Sequence, residues 1–284
     1  MASNILDSVA VSGENREGES RPFRTGVSAA AAAKRVGNRL TVSERKPLKM
    51  ELREAFRVLR SNIEFTGIEN RVIAVTSCLP NDGKSSVSWY LAEAFAAAGK
   101  KTVYVDADLR KSVLIHRLRI VNKVRGLSHY LSGQAQLSEV LYATDIQNLH
   151  LIPTGVFPPN PAELLGNPRF RGMINYLRDN FDYVIIDTPP LGNVIDAATV
   201  SQCCDGSVLV VASEKTSRQL AADVKNQLEM SNPNILGVVL NMDKTSVRGR
   251  YGKKGGYYGG YYGGYGSNES GSESSSRRNG RAKE

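Results

Sequence analysis

Gly83-Lys84-Ser85 stands where a strand-like run, Val72-Ile73-Ala74-Val75-Thr76, breaks at Pro80-Asn81-Asp82-Gly83 and passes into a helical pattern over 85–98. Strand, glycine-containing loop and Gly-Lys-Ser at a helix start make the layout of a phosphate-binding P-loop. The chemistry asks for these residue types. Gly83 lets the backbone approach a phosphate, and the free N–H groups of the helix start point at the anion. The expected phosphate-binding set is Asp82, Gly83, Lys84, Ser85 and Ser86, with Lys84 on the β- and γ-phosphates and the Ser85 hydroxyl on Mg²⁺. One position departs from the common pattern: five residues before Gly83, where glycine is usual, this chain has Cys78.

Two other apolar runs end in acids. Val103-Tyr104-Val105 leads to Asp106-Ala107-Asp108-Leu109-Arg110, and Tyr183-Val184-Ile185-Ile186 leads to Asp187-Thr188-Pro189-Pro190. Ligands of an open parallel sheet bind at the carboxyl ends of its strands, so Asp106, Asp108 and Asp187 should face the same edge as the loop. An apolar run ending in Asp beside a P-loop is the usual way to hold Mg²⁺, directly or through water. Any one strand-end Asp is as often a cap or a turn former. Three of them at one edge with a Gly-Lys-Ser point instead to a site for ATP or GTP. Guanine-specific sites use an Asn-Lys-x-Asp loop, whereas here Asn241-Met242-Asp243 follows the last strand without the Lys. Asn241 is therefore placed near the base, and adenine is favoured.

Periodicity gives the elements that must position these residues. Strands are expected at 72–76, 102–106, 149–153, 183–187, 207–212 and 235–241, and helices at 85–98, 127–132, 137–142, 169–180, 197–203 and 217–231. This alternation predicts an α/β chain with the P-loop NTPase fold, a mainly parallel sheet flanked by helices. Ahead of it, in 50–63, Leu52, Phe56, Leu59 and Ile63 form a stripe at helical spacing. Glu54, Arg57 and Arg60 recur every three residues on the other faces, a pattern that suits a solvated face and a subunit contact equally. Residues 1–43 are polar and aperiodic and read as a disordered arm. The domain is expected over 44–242, and 243–284 reads as a disordered basic, Tyr/Gly-rich tail.

At 284 residues with 41% hydrophobic content the chain can bury one substantial core. No uninterrupted apolar run approaches the ~18–20 residues that span a bilayer, and no secretory signal is expected. Cys78, Cys203 and Cys204 lack metal-ligand spacing and suggest a reduced, cytoplasmic protein; His116, His129 and His150 are too scattered for a metal site. A formal charge of +9 suits anionic partners, among them nucleotides, nucleic acid and membrane surfaces, without choosing between them.

Of twelve tyrosines, six lie in one window: Tyr251, Tyr257, Tyr258, Tyr261, Tyr262 and Tyr265. Core tyrosines sit among apolar residues, but these sit between glycines. A sticker segment, a nucleic-acid-binding tail and a phosphoacceptor array all fit the composition. A nucleotide site on the same chain favours the third, because it supplies a phosphoryl donor. Six phosphotyrosines would add roughly −9 to −12, as much as the formal +9 of the whole chain. Tyr265 lies 24 residues beyond Asn241, which is up to about 80 Å extended or about 25–30 Å as a flexible coil. Transfer within one chain or between chains is open on reach.

Together these motifs resemble the bacterial tyrosine kinases that regulate capsular and exopolysaccharide synthesis, over about residues 47–265. The carriers are the loop Thr76-Ser77-Cys78-Leu79-Pro80-Asn81-Asp82-Gly83-Lys84-Ser85-Ser86, the Asp-x-Asp-x-Arg motif from Asp106 to Arg110, the strand ending at Asp187-Thr188-Pro189-Pro190, and the tyrosine cluster. Glu54-x-x-Arg57-x-x-Arg60 matches the family's subunit-contact motif, which builds a ring in relatives.

The resemblance implies ATP and Mg²⁺ as cofactors, with Lys84, Asp106 and Asp108 catalytic and Ser85, Asp106, Asp108 and Asp187 around the metal. It also implies that Asp106 orients or accepts the proton of the attacking tyrosine and that a neighbouring subunit supplies the tail. As partners it implies a homo-oligomer, an activating membrane adaptor of the polysaccharide co-polymerase type that recruits the chain to the inner face of the membrane, and a cognate phosphotyrosine phosphatase, with no nucleic acid expected. The alternative is a P-loop ATPase of the partition and septum-placement group. Those ATPases carry a signature Lys where this chain has Leu79, and the septum-placement members end in an amphipathic helix rather than in Gly and Tyr.

Overall fold

A computed structural model describes residues 38–42, 48–120, 124–192, 194–232 and 234–243. The sequence-predicted arm up to residue 37 and the tail from 244, with all six clustered tyrosines, lie outside the described residues.

Eight strands make one sheet. In chain order they are β1 (Arg39–Leu40), β2 (Val72–Ser77), β3 (Thr102–Asp106), β4 (Tyr142–Thr144), β5 (Leu149–Ile152), β6 (Tyr183–Asp187), β7 (Gly206–Ala212) and β8 (Ile235–Asn241). They lie in the order β1-β4-β5-β3-β6-β2-β7-β8, and every pair is parallel except β4 with β5. The central strands β2, β3, β6 and β7 are buried along their whole length, as β-branched runs with no polar alternation require.

Alternate side chains feed two faces. Ile73, Val75, Tyr104 and Ile185 pack under α1 (Met50–Phe65) and α2 (Lys84–Ala97). Val103, Val105, Val184 and Ile186 pack under α4 (Leu127–Leu131) and α7 (Pro168–Asn180). The remaining helices are α3 (Leu114–Arg117), α5 (Leu137–Val140), α6 (Pro161–Gly166), α8 (Asp196–Ser201) and α9 (Arg218–Ser231). Helix α2 is covered twice. Trp89 and Phe95 meet the sheet side at Tyr104 and Tyr183, with ring centroids 5.2 and 3.8 Å apart, while Tyr90 meets Phe56 of α1 at 5.3 Å. The helix is therefore held from both sides along its length, as a rigid support for the P-loop ahead of it.

Three details depart from the sequence expectation. First, part of the predicted arm belongs to the body: β1 pairs with β4, Leu40 and Val42 are buried, and the Val42 N–H donates to Asp145 Oδ1 at 2.7 Å. Second, the helix expected over 137–142 stops at Val140, and Tyr142–Thr144 becomes a strand antiparallel to β5, because pairing outweighs the local helical pattern. Third, the stripe on α1 is shorter than its pattern: Phe56 and Ile63 are buried and Leu59 partly so, but Leu52 is 46% exposed.

Candidate active site

Strand register brings the acids together. Asp106 and Asp187 are register partners at the ends of β3 and β6, and Asp187 is also opposite Val75 of β2. Insertion of β6 between β2 and β3 is what places two carboxylates beside the P-loop. The segment after β6 is fastened to β2: the Thr188 N–H donates to Val75 O at 3.1 Å, Leu191 N–H to Ser77 O at 2.9 Å, and Thr76 Oγ1 to Pro189 O at 2.9 Å.

Two glycines are required by close approach. Gly83 has φ +92°, and a Cβ there would lie 2.1 Å from Asn241 Nδ2. A Cβ at Gly192 would lie 2.3 Å from Cys78 O, where the β6–α8 connection crosses the P-loop.

Lys84, a largely buried cation, donates to Asp108 Oδ2 at 2.9 Å and to Ser85 Oγ at 3.2 Å, and lies 3.7 Å from Asp187 Oδ2. The carboxylates of Asp187 and Asp108 hold its pKa above the ordinary lysine value despite burial. Asp106 is fully buried; burial and the neighbouring Asp187 push its pKa up to about 7. Its Oδ2 accepts a short hydrogen bond from Ser112 Oγ, and Thr154 Oγ1 donates to its backbone carbonyl at 3.0 Å. Asp187 is likewise raised by burial, and its Oδ1 has no hydrogen-bond partner.

Three buried carboxylates facing one lysine leave an excess of negative charge and an orphaned oxygen, which suits a divalent cation. Among the described residues, no group of three or more His, Cys, Asp or Glu could by itself hold a metal ion. That pattern fits Mg²⁺, which takes one or two carboxylates and completes its octahedron with water and substrate phosphates.

A cavity of about 430 Å³ opens over these groups, lined by Asn81, Gly83, Lys84, Ser85, Ser86 and Asp108 from the phosphate side. Arg110, Lys111 and Arg117 add cations to its wall, and Met242 and Pro190 add apolar surface. Two expected ligands have other engagements. The Asp82 side chain turns inward and accepts the Leu79 N–H at 2.8 Å, so it braces the loop, while Asn241 Nδ2 donates to Asp82 O at 2.8 Å. The motif helix presents Glu54 and Arg57 outward, paired with each other at 3.2 Å and each 61% exposed. Arg60 instead packs inward, against Ala94 O and Glu64.

Ser112, Thr154 and Asp196, which organise the loop after β3, were not singled out from sequence. A Ser and a Thr in separate loops and an Asp at a helix start carry no spacing signal, and only the tertiary fold unites them.

Cys78 is fully buried, and burial with the nearby Asp82 pushes its thiol up to about 11. Its thiolate population near neutral pH is thus about 100-fold below that of an ordinary thiol. Native-state alkylation followed by peptide mass spectrometry is expected to leave Cys78 unmodified until the chain is unfolded. Rapid native labelling would contradict this placement.

A glycine-lysine-serine loop between a central strand and a covered helix, with acids on the neighbouring strand ends, defines a P-loop NTPase. An AAA domain family model matches residues 70–234. The chain is 42% identical over 206 residues to the tyrosine-protein kinase CpsD of Streptococcus agalactiae, covering 71% of this chain and 90% of that one. The kinase domain of the Escherichia coli tyrosine kinase ETK matches with a TM-score of 0.64 at 31% identity, over 76% of this chain and 94% of that domain. The septum site-determining protein MinD of Pyrococcus horikoshii, complexed with Mg-ADP, matches less well, with a TM-score of 0.52 at 26% identity over 60% and 69%. The chain belongs to the bacterial tyrosine kinases.

Proposed function

We propose that this chain transfers the γ-phosphoryl group of ATP to tyrosines of its own C-terminal cluster, Tyr251 to Tyr265, on a neighbouring copy, and thereby regulates capsular or exopolysaccharide synthesis and export. The observation that carries the proposal is the convergence of Lys84, Asp106, Asp108 and Asp187 at one edge of the sheet, beside the P-loop, on a chain that also holds six clustered tyrosines.

Phosphoryl transfer asks for positioning and charge neutralisation more than covalent chemistry. The loop N–H groups after Gly83 and the Lys84 ammonium would hold the phosphates. Ser85, Asp106, Asp108 and Asp187 are the groups that would hold Mg²⁺, which supplies charge neutralisation when bound. Asp106, with a pKa near neutrality, suits the proton of the attacking tyrosine hydroxyl. Met242 lines the cavity and Asn241 abuts Gly83, so the base is assigned to that side, and adenine is favoured for want of the guanine-reading Lys.

Assembly into a homo-oligomer rests on Glu54 and Arg57, whose exposed pair is available to another subunit. No helix among the described residues is long and apolar enough to cross a membrane; activation and recruitment are assigned to a separate membrane adaptor. A cognate phosphatase would reset the tail. Against the partition-type alternative, Leu79 occupies the signature-Lys position and packs partly buried against Leu191, Val211 and their neighbours.

Incubation of the full chain with Mg-ATP, with and without the cytoplasmic peptide of the adaptor, tests this by intact and peptide mass spectrometry. Phosphate on Tyr251, Tyr257, Tyr258, Tyr261, Tyr262 or Tyr265 is expected. Steady ATP hydrolysis with an unmodified tail in both arms would transfer the case to the partition-type ATPase.

A further inference from the structure

Arg110 is held at both ends of its residue. Its backbone N–H donates to Asp108 Oδ1 at 3.3 Å, as does that of Lys111 at 2.9 Å, while the other oxygen of Asp108 holds Lys84. Its guanidinium donates through Nε to Asp196 Oδ2 at 2.7 Å and through Nη2 to Asp196 Oδ1 at 3.0 Å. Asp196 is fully buried at the start of α8, on the connection that leaves β6, whereas the Arg110 side chain is 41% exposed and lines the cavity. A fork-on-fork pair fixes the plane of a guanidinium as well as its place. With Nε and Nη2 both taken, the third nitrogen, Nη1, remains to meet a ligand. The Arg110 backbone is tied to Asp108, the residue that holds Lys84, and its side chain lines the same cavity as Lys84.

We propose that Asp196 is a positioning residue for phosphoryl transfer: it aims Arg110 at the terminal phosphate of ATP, where Arg110 serves as a second cation beside Lys84. A buried carboxylate whose charge is met by one cavity-facing arginine is otherwise hard to account for, since an apolar residue would fill the same space without the desolvation. The pair also ties the loop after β3 to the loop after β6, so the two acid-bearing walls move as one. The inference rests on the kinase reading for its rate arm, but its binding arm does not.

The test uses the full-length chain and four variants: Arg110→Gln, Arg110→Lys, Asp196→Asn and the double Arg110→Gln/Asp196→Asn. Fluorescent ATP and ADP analogues report affinity, tail phosphorylation reports rate, and thermal melts report folding. Arg110→Gln and Asp196→Asn should each weaken ATP about 10-fold and leave ADP within about 2-fold, with the rate constant at saturating ATP down about 100-fold. The double variant should be no worse than Arg110→Gln, since the two act as one unit. Arg110→Lys, a point charge without the fork, should recover less than about a tenth of the rate. A merely structural pair would lower the melting temperature in Asp196→Asn and leave the ATP-to-ADP ratio unchanged, and that result overturns the proposal. Independent, additive losses overturn it as well. If wild type phosphorylates no tyrosine, the kinase reading fails, and the ATP-to-ADP ratio still decides this one.

Discussion

Lys84→Met is expected to reduce tail phosphorylation at least ~10³-fold and to make the ligand-free protein less stable at pH 8 than at pH 6. The rate loss follows from removing a buried ammonium that faces the phosphate site. The stability loss follows from what stays behind. Lys84 lies 2.9 Å from Asp108 and 3.7 Å from Asp187, and both carboxylates are almost fully buried. Without the cation their charges are uncompensated, which costs about 3–5 kcal/mol if they remain ionised. Asp187, already raised by burial, escapes by taking a proton, so its folded-state pKa rises further above the unfolded value. A carboxylate raised in this way weakens folding as pH climbs through the interval between the two values. The expected drop in melting temperature is thus roughly 5 °C or more at pH 8 and smaller at pH 6. Thermal melts at the two pH values, run beside the kinase assay, check both halves. A variant that melts like wild type at pH 8 would show that Lys84 does not neutralise these acids.

Asp106→Asn should act in the opposite direction on stability. Its rate should fall about 10²–10⁴-fold, because the group that receives or orients the tyrosine proton is gone. Yet the ligand-free protein should melt higher, by about 2–5 °C at pH 8. Asp106 is fully buried beside Asp187, and its pKa of about 7 records how poorly the charged form is accommodated. The sign follows from linkage. A folded-state pKa above the unfolded one means the folded state favours the proton, so ionisation of Asp106 subtracts stability increasingly between about pH 4 and pH 7 and fully above that. Asparagine removes that penalty at nearly constant volume, and the Ser112 hydroxyl can accept from the new amide as readily as it donated to the carboxylate. The gain should shrink toward pH 6, where Asp106 is already largely protonated. A gain in stability with a loss of activity is the expected mark of a group held charged for function. Loss of both would place Asp106 in the structural frame instead.

The chemistry was more legible in the sequence than the frame. Gly83, Lys84 and Ser85 announce a P-loop because backbone geometry and anion binding restrict residue types over a short span. Asp106 and Asp187 announce themselves because each ends a fully apolar run, and the parallel sheet converts that local fact into a shared edge. The six strands at the centre of the pattern formed with their expected bounds or within a residue of them.

What stayed hidden was set by distant pairing. β1 is two residues long, and nothing local distinguishes Arg39–Leu40 from the polar segment before it. Tyr142 lies in a helical-looking run and became a strand because β5 offered an edge. Asp82 reads as a ligand from its place in the loop, yet its side chain turns inward to close that loop on the Leu79 N–H. Asp196 has no motif; its meaning comes from Arg110, 86 residues away in sequence.

Transfer between chains is the central claim, and a mixing experiment tests it most directly. One preparation carries Lys84→Met with its tail intact. The other keeps the active site and has Tyr251, Tyr257, Tyr258, Tyr261, Tyr262 and Tyr265 all changed to Phe. Neither alone should gain phosphate in the cluster on incubation with Mg-ATP and the adaptor peptide. On mixing, mass spectrometry should find phosphotyrosine in the cluster of the Lys84→Met chain. An unmodified cluster after mixing, under conditions where wild type modifies its own, would contradict transfer between chains and leave each site acting on its own tail.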